Sequence, residues 1–304
     1  MKYVVTGGAG FIGSSIAKLL VEAGHDVSIV DNLHAGSMSR MQEIQDRVLF
    51  HNADVRNFEG LRRIVHDADG IFHQAALTSV PESFHKQDEY FDVNVNGTQN
   101  IFRLAEELRI KVVFASSSSV YGNVERVPIR EDFAKNPISP YGQTKDRGET
   151  LAKQFWKKGA DIIGLRYFNV YGTDQAETDA GVITQFMRRI SADSPPIIHG
   201  KGDQIRDFIY VGDAAKANIM AMESNVSQDL LNIGTGKPTL ILELADLMIK
   251  ISSKTLRPIF DEGLPGDIEK SQADVSHARE SVGWRHEMEL VDGVKQIMAE
   301  NLGT

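Results

Sequence analysis

A tyrosine and a lysine four residues apart, Tyr141 and Lys145, are the two side chains in this chain best suited to proton transfer. On a helix, this spacing places both side chains on one face, one turn apart. A free phenol has a pKa of about 10 and is a poor base at neutral pH. Because an adjacent ammonium group stabilises the phenolate, Lys145 is expected to lower the pKa of Tyr141. The pair is therefore predicted to move a proton to or from an alcohol.

A glycine-rich turn near the N-terminus predicts a bound dinucleotide. Segment 6–13 reads Thr-Gly-Gly-Ala-Gly-Phe-Ile-Gly and contains two overlapping spacings, G-x-G-x-x-G at Gly8, Gly10 and Gly13 and G-x-x-G-x-x-G at Gly7, Gly10 and Gly13. It follows a predicted strand and opens an amphipathic helix, which is the context that the motif requires. Glycine lets the main chain approach a pyrophosphate, whose charge faces the helix N-terminus. Together with the tyrosine–lysine pair, this turn indicates alcohol–ketone redox chemistry.

Two aspartates that follow predicted strands are candidates for the adenosine end of such a cofactor. Asp31 ends the second predicted strand, where a carboxylate can accept hydrogen bonds from the ribose hydroxyls. A carboxylate there repels a 2′-phosphate, and no arginine or lysine follows before Arg40, so the sequence favours NAD over NADP. Asp54 and Val55 follow the third predicted strand and could contact the adenine, although Asp54 could equally cap a helix.

Four consecutive serines, 116–119, stand at the end of the fifth predicted strand. On their own they are typical of a polar turn. In open α/β sheets, however, ligands bind outside the carboxyl ends of the strands. We therefore predict that the hydroxyl of Ser117 lies near Tyr141, where it can bridge the substrate and the phenol.

The elements that must position these residues are strands and helices in alternation. Short apolar runs predict strands at Tyr3–Thr6, Val27–Asp31, Val48–His51, Gly70–His73, Val112–Ser116 and Ile162–Arg166. Gly10–Ala23 has apolar residues near a period of about 3.6 and is predicted as an amphipathic helix. Such alternation is typical of a parallel sheet that helices cover on both faces. The predicted fold class is α/β, with a doubly wound Rossmann sheet.

The pattern changes after residue 171, because the strands become shorter and glycine and proline are more frequent. A further helix is predicted at Leu240–Ile251. We predict an NAD-binding Rossmann domain over residues 1–171 and a smaller C-terminal α/β lobe over residues 172–304. This lobe is expected mainly to bind the substrate, and some of its segments are expected to return to the Rossmann sheet.

The composition argues against several classes of function. The chain has 304 residues and no cysteine, so disulfides, thiolate catalysis and cysteine-based metal sites are excluded. Its histidines form no H-x-H or H-E-x-x-H pattern, and we predict no metal. The net charge of −9 argues against nonspecific binding to nucleic acid. No apolar run approaches the roughly 20 residues that span a bilayer, and Met1 leads directly into a predicted strand, so no signal peptide is expected. We expect a cytoplasmic protein with no nucleic-acid or membrane partner.

Several motifs together resemble the extended short-chain dehydrogenase/reductase superfamily. They are the glycine turn, Ser-x-x-Val-Tyr-Gly at 117–122, Tyr-x-x-x-Lys at 141–145, Arg-Tyr-Phe-Asn-Val-Tyr-Gly at 166–172, Arg-Asp-Phe-Ile-Tyr-Val at 206–211, Asn-Ile-Gly-Thr-Gly at 232–236 and Pro-Gly-Asp at 265–267. The resemblance runs from Tyr3 to about Trp284. Within the superfamily, the chain is most similar to UDP-galactose 4-epimerases and their sugar-nucleotide relatives. This resemblance implies bound NAD, a UDP-sugar substrate and a homodimer.

Three positions distinguish the branches of this superfamily. Nucleotide-sugar 4,6-dehydratases carry Thr-Asp-Glu before Val-Tyr-Gly, and decarboxylases that form UDP-xylose carry a glutamate there. This chain has Ser117-Ser118-Ser119. The resemblance therefore implies a 4-epimerase in which Tyr141 is the base, Ser117 relays the proton or orients the sugar O4, and NAD takes and returns the hydride. A UDP-glucuronate 4-epimerase, an NAD-linked nucleotide-sugar reductase and a non-catalytic dinucleotide-binding scaffold are the alternatives.

The resemblance also implies the residues of two binding sites. For NAD they are Gly7, Gly10, Phe11, Ile12, Gly13, Asp31, Asn32, Asp54, Val55, Gln74, Ala75, Ala76, Asn94, Tyr141, Lys145 and Phe168. For the UDP-sugar they are Ser117, Tyr141, Asn169, Val182, Ile197, His199, Arg206, Asp267 and Ser271. Asn169 and Arg206 are expected at the diphosphate, Asp267 at the ribose, and the residues around Ile197 at the uracil. His199 could instead be a solvent-exposed histidine.

Two positions depart from the UDP-galactose 4-epimerases. Leu264 stands where an arginine often contacts phosphate, which weakens the case for a standard UDP site. Ser271 stands where a bulky side chain would exclude a 2-acetamido group, so we predict that UDP-N-acetylhexosamines are accepted. For the dimer, Ile101, Leu104, Ala105 and Leu108 form a stripe that suits a helix–helix interface, although this spacing is equally typical of core packing.

Overall fold

The strands form one large sheet and three small pairs. The computed structural model describes residues 1–173, 175, 181–263 and 267–302. In this part of the chain the strands are β1 (Lys2–Thr6), β2 (Asp26–Asp31), β3 (Val48–Asn52), β4 (Gly70–His73), β5 (Lys111–Ser117), β6 (Ile162–Tyr167), β7 (Asn169–Tyr171), β8 (Ile197–His199), β9 (Ile205–Arg206), β10 (Phe208–Tyr210), β11 (Gln228–Ile233), β12 (Thr239–Leu240) and β13 (Ile259–Asp261). Seven of them pair in parallel in the order β3–β2–β1–β4–β5–β6–β11. The strand order reverses between β1 and β4, where this fold opens its ligand crevice.

Helices cover both faces of the large sheet. The helices in the described part of the chain, including those that pack away from this sheet, are α1 (Phe11–Glu22), α2 (Phe58–Val65), α3 (Val80–Ser83), α4 (Gln87–Phe91), α5 (Gly97–Leu108), α6 (Pro140–Trp156), α7 (Val182–Ser191), α8 (Val211–Glu223), α9 (Ile241–Ser252), α10 (Ser276–Val282) and α11 (Leu290–Leu302). A single π-helical turn, Asp92–Asn96, joins α4 to α5. The six predicted strands and the two predicted helices are all present, with ends within two residues of those expected.

The central strands of the sheet are apolar and buried on both faces, as a parallel sheet requires, whereas the edge strand β3 is more exposed. Successive residues of a strand point to opposite faces. On β1, Val4 packs into the cluster that α2, α5 and α6 cover, whereas Val5 packs into the cluster under α1 and α8. Each such aliphatic side chain contributes about 1.5–3 kcal/mol when it is buried. The predicted α/β fold class, a doubly wound Rossmann sheet with a smaller C-terminal α/β lobe, is confirmed.

The second half of the chain forms a separate apolar cluster and also contributes segments to the large sheet. Helices α7, α9 and α11 enclose a separate apolar cluster that includes Phe186, Leu244 and Val294. The small pairs β7–β10, β8–β13 and β9–β12 lie in this half. In contrast, α8 packs against α1, and β11 joins the large sheet beside β6. The domain boundary at residue 171 stays a prediction.

The apolar stripe considered for a dimer interface lies inside the folded chain. Ile101 and Leu104 on α5 are fully buried, and Ala105 is 1% exposed. They pack with Phe114 of β5 in the cluster under α2, α5 and α6. The stripe therefore serves core packing, the second of the two readings that its spacing allowed.

Candidate active site

The glycine turn forms a cradle of main chain at the carboxyl end of β1. Gly7 has a φ of +68°, which favours glycine, and it lies against the main chain of Ala75. Gly13 lies so close to Gly7 that a Cβ on it would be 2.1 Å from the Gly7 carbonyl oxygen. Helix α1 begins next to this turn, and its N-cap residue Gly10 supplies no side-chain hydrogen bond. The first N–H groups of α1 are therefore left for an anion such as a pyrophosphate.

A buried carboxylate and a buried guanidinium lie at the next part of the cavity. Asp31 is 8% exposed and accepts hydrogen bonds from the main-chain N–H groups of Ala9, at 3.0 Å, and Leu33, at 2.8 Å. Burial raises the pKa of Asp31, although these hydrogen bonds and the charge of Arg40 oppose the rise. Arg40 lies in a short 3₁₀ helix, Met38–Met41, and donates to the carbonyls of Ala9 and Ala35. Arg40 is the first arginine or lysine after Asp31, and the sequence gave no reason to expect it beside the cofactor. The fold nevertheless returns it to the cavity wall.

The predicted adenine end carries a network of charged and polar side chains. Asp54 accepts hydrogen bonds from Asn32, at 3.0 Å, and from the guanidinium of Arg56, at 2.7 and 2.9 Å. The hydrogen bond from Arg56 lowers the pKa of Asp54 to about 2. Arg56 also reaches Asp92 at 3.2 Å. Asn32, Asp54, Val55 and Arg56 all line the cavity, and Arg56 is an addition to the predicted set.

The loop after β4 closes the opposite wall of the cavity. Gln74, Ala75 and Ala76 line it, as expected. The side chain of Gln74 accepts a hydrogen bond from the Tyr167 hydroxyl, at 3.1 Å, and donates one to Asn218, at 3.0 Å. The Gln74 amide therefore has a fixed orientation at the point where the two halves of the sheet meet.

Two predicted cofactor residues lie behind the cavity rather than on its wall. The Asn94 amide is 3% exposed; its oxygen accepts from the Leu77 N–H, and its nitrogen donates to Leu77 O and Thr144 Oγ1. Asn94 thus fixes the loop after β4 to α6. Phe168 is buried in a cluster with Val120 and Ile129. Neither side chain is among those that line the cavity.

The Tyr141–Lys145 pair lines the same cavity. Both residues are on α6, whose N-cap Ser139 accepts a hydrogen bond from the Gly142 N–H at 3.1 Å. The ammonium nitrogen of Lys145 is 5.7 Å from the centre of the Tyr141 ring and donates to the Ala115 carbonyl at 2.9 Å. Burial lowers the pKa of Lys145 to about 8. Lys145 is therefore mainly an ammonium group near neutral pH and loses its proton as the pH rises through about 8.

The Ser117 hydroxyl is held at the end of β5. It accepts hydrogen bonds from the N–H of Ser119, at 3.2 Å, and from the Ser119 hydroxyl, at 2.9 Å. Its own proton is therefore available to another acceptor. Ala115 and Ser116 line the cavity, and Ser117 follows them where β5 ends.

A buried neutral histidine supports the end of β4. His73 contacts Thr6 Oγ1 at 2.7 Å through Nδ1 and Thr98 Oγ1 at 3.0 Å through Nε2. Because the Thr98 hydroxyl donates to the Asn94 carbonyl, it accepts from the Nε2–H of His73. Burial, with the charge of Lys145, lowers the pKa of His73 to about 3. His73 is thus a neutral residue that links β1, β4 and α5.

The predicted substrate residues of the second half form a polar group of their own. Arg206 pairs with Asp267, and burial lowers its pKa although Asp267 opposes this. Gln204 donates to Asp267 at 3.2 Å and to the His199 carbonyl at 2.7 Å. His199 contacts the Glu262 carbonyl at 3.1 Å. The structure therefore brings Arg206, Asp267 and His199 together. It adds Gln204 to the predicted set; in the sequence, only its place two residues before Arg206 could have indicated this.

The other predicted substrate residues of the second half are Asn169, Val182, Ile197 and Ser271. Asn169 begins β7, Val182 begins α7 and Ile197 begins β8. Ser271 is 4% exposed, and its N–H donates to the Ile205 carbonyl at 3.0 Å. Leu264, the departure from the epimerase pattern, lies outside the described residues. None of these side chains lines the cavity beside the glycine turn.

Two kinds of feature are absent from the part of the chain that the structure describes. No group of three or more His, Asp or Glu residues in that part of the chain could hold a metal ion. No helix there has the length and apolar character needed to cross a membrane.

Known proteins are similar to this chain in sequence and in fold. The family model described as NAD dependent epimerase/dehydratase family matches residues 3–234. A putative UDP-glucose 4-epimerase of Methanocaldococcus jannaschii is 40% identical over 300 residues, which cover 97% of this chain and 96% of the relative. The UDP-glucose 4-epimerase of Thermotoga maritima, solved with UDP-glucose, has a TM-score of 0.94 at 33% identity and covers 99% of this chain and 100% of its own. The UDP-N-acetylglucosamine 4-epimerase of Methanobrevibacter ruminantium, in complex with UDP-N-acetylmuramic acid, has a TM-score of 0.95 at 33% identity, with 99% and 98% covered.

Proposed function

The chain belongs to the NAD dependent epimerase/dehydratase family, and we propose that it is an NAD-dependent 4-epimerase of UDP-sugars. Its substrates would be UDP-glucose and UDP-galactose, together with the corresponding N-acetylhexosamine pair. NAD is the cofactor of the family. The glycine cradle, the uncapped start of α1 and the buried Asp31 fit a dinucleotide, because they offer N–H donors to a pyrophosphate and a carboxylate to ribose hydroxyls.

One observation carries the choice of epimerisation. Tyr141 and Lys145 lie at the cofactor cavity beside β5, and the turn that follows β5 offers only the hydroxyls of Ser117, Ser118 and Ser119. Elimination of water from the sugar would need an acid and a base placed at this turn. Epimerisation needs only one group that removes a proton from O4 and returns it. The chain supplies that group and no carboxylate beside it in the turn.

The reaction follows from this arrangement. When bound, NAD supplies the acceptor and donor of the hydride at the sugar C4. Tyr141, as a phenolate supported by the Lys145 ammonium, takes the O4 proton while C4 is oxidised to a ketone. Ser117 donates a hydrogen bond to O4 and orients it. After the 4-keto sugar has turned in the pocket, Tyr141 returns the proton to O4 while C4 is reduced on its other face. The overall reaction has no net redox change.

The substrate end is proposed from the polar group around Arg206. Its guanidinium can bind two diphosphate oxygens in the plane of its fork, with Asn169 as a second donor. Asp267, which holds Arg206 in this structure, would accept from the ribose hydroxyls. Ser271 is small, which leaves room for a 2-acetamido group. A homodimer stays a prediction, and light scattering of the purified protein tests it.

Incubation of purified protein with UDP-galactose and, separately, UDP-N-acetylgalactosamine tests the function. Without added cofactor, we expect NMR to detect the gluco epimers, because NAD stays bound. Tyr141→Phe is expected to lower kcat by about 10³-fold. Tyr3→Phe, at the opposite end of β1, is the matched control and should leave kcat unchanged. No conversion of either sugar by the wild type, even with NAD supplied, would contradict the proposal and point to UDP-glucuronate.

A further inference from the structure

A group of charged and polar side chains, buried except for a partly exposed lysine, lies next to the catalytic pair. We name it the Glu149 cluster, and it consists of Glu149, Arg166, Lys135, Ser116 and Tyr121. Glu149 is on α6 and has no exposed surface; Arg166 is on β6 and is 2% exposed. Both hydrogen bonds of the pair are short, 2.7 Å from Nε to Oε1 and 2.8 Å from Nη2 to Oε2. The planar fork of the arginine thus meets the carboxylate with two parallel bonds.

The two carboxylate oxygens of Glu149 accept four hydrogen bonds. Besides the two from Arg166, Oε1 accepts from the hydroxyl of Ser116 at 2.7 Å, and Oε2 accepts from Lys135 at 3.0 Å. Burial by itself raises the pKa of Glu149, but the hydrogen bonds and charges of Arg166 and Lys135 hold it below its usual value. Glu149 is therefore a carboxylate, and its acceptor positions are filled.

The bond to Ser116 ties the cluster to the reacting groups. Tyr141, Lys145 and Glu149 follow each other at four-residue intervals, so they lie on one face of α6. Lys145 donates to the carbonyl of Ala115, and Glu149 accepts from the side chain of the next residue, Ser116. Helix α6 and the end of β5 are thus joined at two successive residues of the strand. Ser117, the proposed O4 donor, comes immediately after them.

Stability alone does not require this arrangement. A buried ion pair is often no more stabilising than apolar side chains of the same size, because both charges lose their hydration. What the carboxylate adds over an apolar pair is a fixed acceptor for the Ser116 hydroxyl. On this basis, which rests on the proposed epimerase function, we propose that Glu149 is a positioning residue that sets the Ser117 hydroxyl at its working distance from Tyr141.

The same cluster reaches the second half of the chain. Arg166 donates to the Tyr121 hydroxyl at 2.6 Å, and that hydroxyl donates to Asn232 Oδ1 at 2.7 Å. Asn232 in turn donates to the carbonyl of Ile129, at 2.9 Å, whose N–H donates to the carbonyl of Gln272, at 2.7 Å. Gln272 follows Ser271, the proposed sugar-gating residue. The cluster therefore fixes the catalytic strand and the sugar-gating segment through one continuous set of hydrogen bonds.

The decisive experiment compares a single variant with an apolar pair in the NAD-loaded full-length protein. Glu149→Gln is expected to lower kcat by about 10- to 100-fold, because a displacement of about 1 Å at reacting groups has an effect of this size. KM should change by less than about threefold, since the sugar is still bound. The double variant Glu149→Leu/Arg166→Met removes both charges. It should regain the melting temperature of the wild type while kcat stays low.

A matched control lies one turn away on the same helix. Asp146→Asn removes a carboxylate that pairs with the same Lys135 but has no hydrogen bond to β5. It should leave kcat unchanged. Recovery of kcat together with the melting temperature in the double variant would overturn the proposal, as would equal effects of Glu149→Gln and Asp146→Asn.

A structural measurement separates this proposal from the proposed function. If the wild type converts no UDP-sugar, the function fails, and crystal structures of the wild type and the double variant then decide the positioning role. A change of about 1 Å in the distance between Ser117 Oγ and the Tyr141 hydroxyl supports it. An unchanged distance overturns it whatever the reaction is.

Discussion

At the cofactor end of the site, the glycine turn brings main chain to the cavity wall. Gly7 lies against the main chain of Ala75, and Gly13 lies against that of Gly7, so a side chain on either would force the turn to shift. Asp31 is held by two main-chain N–H groups. At the substrate end, side chains hold one another. Arg206 pairs with Asp267, and Gln204 bridges Asp267 to the carbonyl of residue 199. The geometry of the cofactor end depends on how the parallel strands end. The geometry of the substrate end depends on a few long polar side chains.

This difference bears on how each end can change. A main-chain cradle is rigid, and a substitution there alters the backbone itself. A group of paired side chains can exchange partners with little change in the fold, since the charge that Asp267 gives to Arg206 can be replaced by that of a ligand. We therefore expect the cofactor end to respond to mutation by losing NAD, and the substrate end by changes in KM or selectivity.

Among the substitutions that test this comparison, Gly13→Ala is expected to have the largest effect. The new Cβ would lie 2.1 Å from the Gly7 carbonyl oxygen, so the turn must shift. Overpacking of this kind costs about 1–3 kcal/mol, which corresponds to roughly 10- to 100-fold weaker NAD binding. Isothermal titration of the NAD-stripped protein measures it. Gly148→Ala is the control, because its Cβ would make only ordinary contacts, at 3.8 Å and beyond. Equal NAD affinity in both variants would refute the rigid-cradle argument.

The next effect is expected from Arg206→Met at the substrate end. Loss of the charged hydrogen bonds to the diphosphate costs about 1.5–3 kcal/mol, so KM for the UDP-sugar should rise by roughly 10- to 100-fold. NAD affinity should not change, because Arg206 does not line the cofactor cavity. Arg130→Met, an exposed arginine that pairs with Asp132, is the control in the same assay. A fall in NAD affinity in Arg206→Met would show that the two ends are not separate.

The pH dependence of activity tests the role of Lys145, which lies beside the catalytic Tyr141. Burial lowers the pKa of Lys145 to about 8, so the ammonium that supports the Tyr141 phenolate is lost as the pH rises through this value. Well above it, kcat/KM should fall by about tenfold per pH unit, as for any single essential proton. Lys145→Arg keeps its charge at these pH values, and its lower activity should not decline there. A wild-type profile that stays flat to pH 10, about two units above this pKa, would exclude this role of Lys145.

The contrast between the two ends also explains how much the sequence could predict. The turn at Gly7–Gly13, Asp31 and the Tyr141–Lys145 pair follow from local spacing and from the rule that parallel strands end at one edge of the sheet. Arg40 escaped this reasoning because its return to the cavity depends on a 3₁₀ turn that no periodicity marks. Strand β11, at one edge of the large sheet, was also not predicted as a strand. Some segments of the C-terminal lobe, however, were expected to return to this sheet.

Long-range packing accounts for the residues whose surroundings differ from expectation. Asn94 was expected beside the cofactor, but the position of its amide depends on the loop at Leu77 and on Thr144 of α6. Phe168 lies two residues after Arg166 and packs into the cluster beside Tyr121. The Glu149 cluster brings together residues from α6, β5, β6 and the loop before α6. No spacing along the chain indicates such a group, because its members lie on different strands, loops and helices and meet only in the folded chain.

The smallest expected effect, and the sharpest for the substrate end, is the selectivity of Ser271→Tyr. Ser271 is 4% exposed and is fixed through its N–H to Ile205, so a larger side chain must extend into the space proposed for the 2-acetamido group. The ratio of kcat/KM for UDP-N-acetylgalactosamine to that for UDP-galactose should fall by roughly tenfold, within the range of one clash in a pocket. Ser271→Ala is the control and should keep the ratio. Because overpacking alone would lower both rates together, a ratio that stays constant in Ser271→Tyr while both rates fall would show a damaged lobe rather than a gate.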